Sequence, residues 1–224
     1  YMRMYHHRYL ELLREACTKF NVHLIADEIA VGFGRTGTMF GFEQAKISPD
    51  IICLSKGITG GYMTLSTILT TDEIYYAFYD EYEKLNAFLH SHSYTANPIA
   101  CSAANATLDI FEKQNTLKKN KVLSSHMQKC FESLRNHPHV SDVRQKGMVL
   151  AIELVKDKKR KISYNWKERR GIRAYLHGLK NNVLMRPLGN VLYFMPPYVI
   201  TKKEISFVSE IMKEGVNEAT KKNT

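Results

Sequence analysis

His23–Asp27 reads HLIAD and Asp50–Lys56 reads DIICLSK. Each is a short apolar run that ends on a charged side chain, the pattern left by parallel strands buried between other layers. Between them lies a glycine-rich loop, EIAVGFGRTGTMFGFE, with Gly32, Gly34, Gly37 and Gly41. Beyond them Gly60 and Gly61 precede a third apolar stretch, MTLSTILTT. Short strands alternating with loops or helices predict an α/β layer.

The charged ends matter because open α/β sheets bind ligands outside the carboxyl ends of their strands. Asp27 and Lys56 both fall at such ends. A carboxylate or an amine is costly to bury there unless it is paired or bound to something. Two readings follow. One is a buried Asp–Lys ion pair, which spacing alone slightly favours. The other needs an aldehyde cofactor: the lysine forms a Schiff base, and the aspartate keeps a pyridine nitrogen protonated so that the ring acts as an electron sink.

Working outward, the opening run YMRMYHHRYLELLREACTKF has apolar residues at Tyr9, Leu12, Leu13, Ala16 and Phe20, and predicts a helix almost from its first turns. A chain that begins inside packed structure reads as a fragment, and no basic-then-apolar leader opens it. Residues 72–89 are amphipathic and aromatic and predict a helix with a continuation. HSHSYTANP is a polar turn before a small-residue helix from Pro98 to about Gln114. A second helix runs to about Asn136 and is broken by His137-Pro138, whose turn predicts solvated histidines at 137 and 139. The texture then changes. VSDVRQKGMVLAIELV reads as two strands hinged near Gly147. A basic helix (Trp166 to Asn181), strands into Met185-Arg186-Pro187 and through VLYFMPP, and a helix from Lys202 to Ala219 complete the chain. A boundary near residue 117 separates an α/β part, 1–116, from an α+β part, 117–224.

Composition narrows the function classes. The 224 residues are 44% hydrophobic and 24% charged, which excludes a disordered or collagen-like chain. No apolar run reaches the roughly 18 residues that a transmembrane helix needs. Cys17, Cys53, Cys101 and Cys130 are widely spaced, which argues for a reducing compartment and against a structural zinc site. His90 and His92 have no further ligand cluster near them, so no metal is expected. The net charge is +10, and Lys156 to Arg173 supplies most of it, with nine Lys/Arg against Asp157 and Glu168. Such a stretch is either a polyanion-binding patch or a solvated hairpin tip leading into a helix; the second reading is preferred because no nucleic-acid signature accompanies it.

The blocks IADEIAVGFGRTG, SPDIICLSKGITGG and HSHSYTANPIAC, in this order, closely resemble the class III pyridoxal-phosphate aminotransferases. The resemblance runs across the whole chain. It implies an α/β fold of the PLP-dependent transferase fold type I: 1–116 would be the carboxyl-terminal part of the large, mainly parallel-sheet domain, whose amino-terminal half is missing here, and 117–224 the α+β small domain. Ala30 stands where many class III relatives have glutamine. With Gly60–Ser66 (GGYMTLS), the MRMYH start and Arg186–Tyr198 (RPLGNVLYFMPPY), it is similar to the branch of the class that works in biotin synthesis.

That resemblance implies roles residue by residue. Lys56 would be the Schiff-base lysine and proton shuttle, and Asp27 the partner of the pyridine nitrogen of pyridoxal 5'-phosphate. His92 and Ser93 match the dipeptide that reaches the cofactor phosphate from the partner subunit of a homodimer, and Ser91 a neighbouring substrate contact. Arg186 matches the arginine that grips the substrate carboxylate, for which a bidentate fork is suited. Tyr193 would line the substrate site and Arg35 would add a polar contact. The implied reaction is cytoplasmic transfer of an amino group to 8-amino-7-oxononanoate, with small-molecule substrates and neither nucleic acid nor membrane as partner. Ser91-His92-Ser93 replaces the Gly-Pro-Thr of other members, which leaves the donor between S-adenosylmethionine and lysine. Alternatives are another class III ω-aminotransferase or a polyanion-binding module built on 156–173. The fragment alone would be inactive, because the phosphate loop and the ring that stacks on the cofactor belong to the missing half.

Overall fold

The computed structural model describes residues 2–221. The chain divides into two compact units, Tyr5–Leu117 on one side and Lys118 onward with the residues before Tyr5 on the other.

In the first unit, β1 (Ile25–Asp27) pairs in parallel with β2 (Ile51–Leu54), and β3 (Thr67–Thr70) runs antiparallel to β2, giving the order β1-β2-β3. The two charged-end strands are therefore parallel neighbours, but the sheet as a whole is mixed. The expected burial of β1 is not seen: Ile25, on the same face as Asp27, is 59% exposed. Helix α1 (His7–Lys19) starts later than its sequence pattern implies, with the His6 side chain accepting from Arg8 N. Asp50 ties α1 to the sheet: its Oδ2 accepts from Arg14 Nη1 at 2.8 Å and from Leu24 N at 2.6 Å.

The core of this unit is small. Phe33 from the glycine-rich loop, Leu54 from β2, Ile58 from the 3-10 turn Lys56–Thr59, and Ala104 from α3 (Pro98–Lys113) form it, with Phe40, Leu65 and Phe111 packed around them. Asn97 caps α3 by accepting from Ile99 N at 3.0 Å, and Pro98 occupies the first turn, where its missing N–H costs nothing.

The helix expected over 72–89 is not formed. Only α2 (Asp72–Tyr76) and a 3-10 turn at Tyr82–Lys84 appear. Asp80 accounts for the break: its carboxylate accepts from Glu81 N, Lys84 Nζ and Asn86 Nδ2, a local arrangement that competes with the helical ladder. Tyr75, Tyr76, Tyr79, Phe88 and Leu89 stay exposed, so no apolar face is buried to stabilise a longer helix.

The second unit holds α4 (Thr116–Phe131), β4 (Val140–Lys146), β5 (Val149–Asp157), β6 (Ile162–Ser163), α5 (Arg170–Lys180), β7 (Arg186–Leu188), β8 (Val191–Phe194) and α6 (Lys202–Thr220). The sheet is antiparallel in the order β4-β5-β8-β7, with β6 on the end of β5. Leu150, Ile152 and Leu154 project from one face of β5 into a core shared with Met127, Phe131, Leu192, Ile205, Met212 and Val216. Each such side chain contributes about 1.5–3 kcal/mol when fully buried. Ile205, Ser209, Met212, Val216 and Ala219 form the buried stripe of α6, and a Thr201–Glu204 capping box starts that helix.

Two local expectations change here. The basic helix begins at Arg170, after a 3-10 turn (Trp166–Glu168) closed by an Asn165–Glu168 capping box and a left-handed Arg169. The histidines beside Pro138 are structural rather than solvated. His137 Nε2 donates to Asn217 Oδ1 at 3.1 Å while its Nδ1 accepts from His139 N, and burial lowers its pKa. His139 Nδ1 donates toward Val155 O and Lys156 O.

Candidate active site

Asp27 sits opposite Cys53 in the β1–β2 register, and Glu28 N donates to Cys53 O at 3.0 Å, carrying the ladder past the strand end. The Asp27 side chain is exposed, and its Oδ1 accepts from Ile29 N at 3.1 Å. Lys56 lies three positions beyond Cys53 on the adjacent strand, also exposed, at the start of the 3-10 turn. The carboxylate and the amine thus emerge from the carboxyl ends of neighbouring parallel strands. Both groups are exposed among the described residues, and no ion pair joins them there.

Lys56 has φ +45°, in the left-handed region that a side-chain-bearing residue occupies at a cost of about 1–3 kcal/mol. The surroundings hold it there. Ser55 Oγ donates to Leu65 O at 2.7 Å, Thr59 Oγ1 donates to Met63 O at 2.6 Å, and Ile58 N donates to Ser55 O at 3.1 Å.

Residues 91–93 are exposed and lead toward α3, the helix that packs on the turn carrying Lys56. His92 shapes this segment: its N donates to Thr95 Oγ1, its Nδ1 accepts from Tyr94 N, and its O accepts from Thr95 N. Ser91 and Ser93 flank it with exposed side chains. Arg35 lies half-buried in the glycine-rich loop. In the second unit, Arg186 and Tyr193 are directly opposite each other on β7 and β8, Arg186 exposed and Tyr193 half-buried. Tyr193 also borders an apolar groove of about 410 Å³ with Met185, Phe194, Ile200, Phe207 and Met212.

Glu28 lies inside the IADEIAVGFGRTG block, but the resemblance assigns it no role. It is 3% exposed, and its carboxylate accepts from Gly41 N at 2.9 Å and Phe42 N at 3.1 Å. Burial pushes its pKa up, against the pull of those two N–H donors. The one available signal is position: beside an exposed strand-end aspartate, the next residue points to the other side.

The class-III aminotransferase profile matches residues 2–216. The chain belongs to the class III aminotransferase family. The class III chain is 48% identical over 221 residues to the adenosylmethionine-8-amino-7-oxononanoate aminotransferase of Helicobacter pylori, covering 95% of this chain and 49% of that protein. The enzyme of that name from Geobacter sulfurreducens is 43% identical over 212 residues, covering 95% and 47%. The crystal structure of the Methanocaldococcus jannaschii enzyme of that name superposes with a TM-score of 0.89 at 43% identity, covering 94% of this chain and 49% of that one. The aminotransferase chain therefore spans about half the length of these relatives, and its fold is that of the fold type I transaminases.

Pyridoxal phosphate is the cofactor that this class implies, and the donor set fits it. An accessible amine can hold the aldehyde, and an exposed carboxylate beside it on the sheet can face a ring nitrogen. The basic stretch at 156–173 is not uniformly solvated. Arg170 is 5% exposed, lies 4.5 Å from the Tyr164 ring centroid, and donates to Glu168 Oε2 and Ala219 O. Lys159, Arg160 and Lys161 lie exposed in the turn joining β5 to β6.

Proposed function

We propose that the full-length protein is a cytoplasmic, homodimeric aminotransferase of biotin synthesis. It transfers an amino group from S-adenosylmethionine, or from lysine, to 8-amino-7-oxononanoate and yields 7,8-diaminononanoate. The observation that carries this reading is the emergence of Asp27 and Lys56 from adjacent parallel strand ends in a class III chain. The names of the similar enzymes support the choice of acceptor.

When bound, pyridoxal phosphate supplies an aldehyde that takes up the amino group and a ring that spreads the charge left by proton removal. Lys56 Nζ would hold the cofactor and would move a proton at the donor carbon; an amine close to the reacting atoms is suited to that task. Asp27 would face the ring nitrogen and hold a proton there, a carboxylate being the partner that favours the protonated ring. Ser93 would offer its hydroxyl, and His92 its Nε2, to the phosphate of the partner subunit's site. Arg186 binds the acceptor's carboxylate through its planar fork, Tyr193 lines the chain beside it, and Ser91 and Arg35 add polar contacts.

The test is the visible absorption of the full-length protein titrated with pyridoxal phosphate, alone and as Lys56→Ala. A cofactor band present in the parent and lost in the variant supports the reading. Bleaching by S-adenosylmethionine, or by lysine instead, names the donor. Absence of any band in the folded protein overturns it.

A further inference from the structure

We infer that Glu28 is a positioning residue that holds Asp27 at the angle needed to face a ring nitrogen; the inference rests on the proposed pyridoxal-phosphate function. Asp27 and Glu28 are consecutive and point opposite ways, one exposed and one buried. The Glu28 backbone is held on both sides: its N–H donates to Cys53 O at 3.0 Å, and its carbonyl accepts from Gly32 N at 2.9 Å. Its side chain reaches across the loop and takes both Gly41 N and Phe42 N, so the loop from 28 to 42 is closed at its base by one carboxylate.

The fit is tight. A Cβ at Gly41 would lie 3.2 Å from Glu28 Oε1, and a Cβ at Gly32 would lie 2.8 Å from Glu28 O. Hydrogen bonds to a charged acceptor are about twice as strong as neutral ones, and a buried pair of N–H groups left without an acceptor costs more still. The closed loop also carries Phe33, which packs on Gly57, next to Lys56. One buried carboxylate therefore fixes the strand end that presents Asp27 and the loop that abuts the lysine's turn. Neither role involves contact with the cofactor, and the side chain has no exposed edge to offer one.

The test compares equilibrium binding of pyridoxal phosphate and its 1-deaza analogue, in which the ring nitrogen is replaced by C–H, to the full-length protein. The parent is expected to favour pyridoxal phosphate at least tenfold, and Asp27→Asn to abolish the preference. Glu28→Gln, which keeps shape but offers one of the two N–H groups no acceptor, is expected to cut the preference at least threefold, with Glu28→Asp intermediate. A purely structural role would weaken both ligands equally and leave the ratio unchanged. That result in Glu28→Gln, or in Glu28→Asp should the first variant fail to fold, overturns the inference while Asp27→Asn still reports. Equal binding of the two ligands by the parent overturns the pairing of Asp27 with the ring, and the role of Glu28 with it.

Discussion

Phe33 lies flush against Gly57: a Cβ added at Gly57 would fall 2.9 Å from Phe33 Cβ and 3.0 Å from Phe33 Cδ2. The aromatic ring of the glycine-rich loop is thereby packed on the backbone immediately after Lys56. Phe33 itself is 3% exposed and has φ +54°. Loop and lysine turn are one packed object, and Gly57 is the residue whose missing side chain allows the contact.

Gly57→Ala is expected to destabilise the full-length protein by about 1–3 kcal/mol, the usual cost of overpacking a close contact. Phe33→Gly, which removes the Cβ that the new methyl meets, should cost less in the Gly57→Ala background than in the parent, because the two changes share one contact and do not add. Urea unfolding of the single and double variants measures the coupling. Full additivity would mean that the contact is not the source.

Gly171 stands in the same relation to the strand that carries Arg186. A Cβ there would lie 2.4 Å from Gly189 O and 2.5 Å from Pro187 Cβ. Gly171→Ala must push α5 away from the β7–β8 turn, since backbone cannot yield as a flexible side chain can. The expected result in the full-length protein is a severalfold rise in KM for the carboxylate-bearing acceptor with a smaller change in kcat, read from steady-state kinetics. An unchanged KM would mean that Arg186 is placed independently of α5.

Asp50 gives the first unit an acid-sensitive link. The Leu24 N–H, and then the Arg14 guanidinium, hold its carboxyl below the ordinary carboxylate value. A pKa lower in the folded than in the unfolded chain stabilises the fold in full above the unfolded value of about 3.9, and the contribution is lost as the pH falls through the folded value. Asp50→Asn should cost about 1–3 kcal/mol near neutrality, because it weakens the bond to Leu24 N and removes the charge facing Arg14. The loss should shrink between pH 5 and pH 2 in denaturant titrations. A cost that stays constant with pH would show that the carboxylate's charge is not involved.

Arg170 is the buried cation of the basic stretch. Removing its side chain with Arg170→Ala should cost about 3–5 kcal/mol, in line with breaking a buried pair. Arg169→Ala, next to it and exposed, should cost far less. Thermal unfolding of the two variants distinguishes a structural arginine from a solvated one, and equal losses would contradict the assignment.

Much of this was already legible in local pattern. Two short apolar runs ending on Asp27 and Lys56 indicate parallel neighbours, and the β1–β2 pairing follows. Asn97-Pro98 marks the start of α3, His137-Pro138 the end of the helical stretch that α4 begins, and the apolar run after Gly147 the central strand β5. These features rest on turn chemistry, capping and periodicity, which act over a few residues and leave their trace in the order of side chains. The class III blocks are legible for the same reason, since each is a contiguous segment.

Other features depend on groups far apart in the chain. Over 72–89 the polar contacts of Asp80 with Lys84 and Asn86 are local, but that the aromatic face stays uncovered depends on what the rest of the chain brings to it. The exposure of Ile25 depends on what covers its face of the sheet, and the burial of Arg170 on the arrival of the α6 carbonyl of Ala219. Glu28 became visible only when Gly41 and Phe42, 13 and 14 positions away, turned their N–H groups toward it. The identity and order of the chemical groups belong to the sequence by itself. Which of them are desolvated, and by what, was decided by tertiary packing, because burial depends on the neighbours that a folded chain brings and no local window contains them.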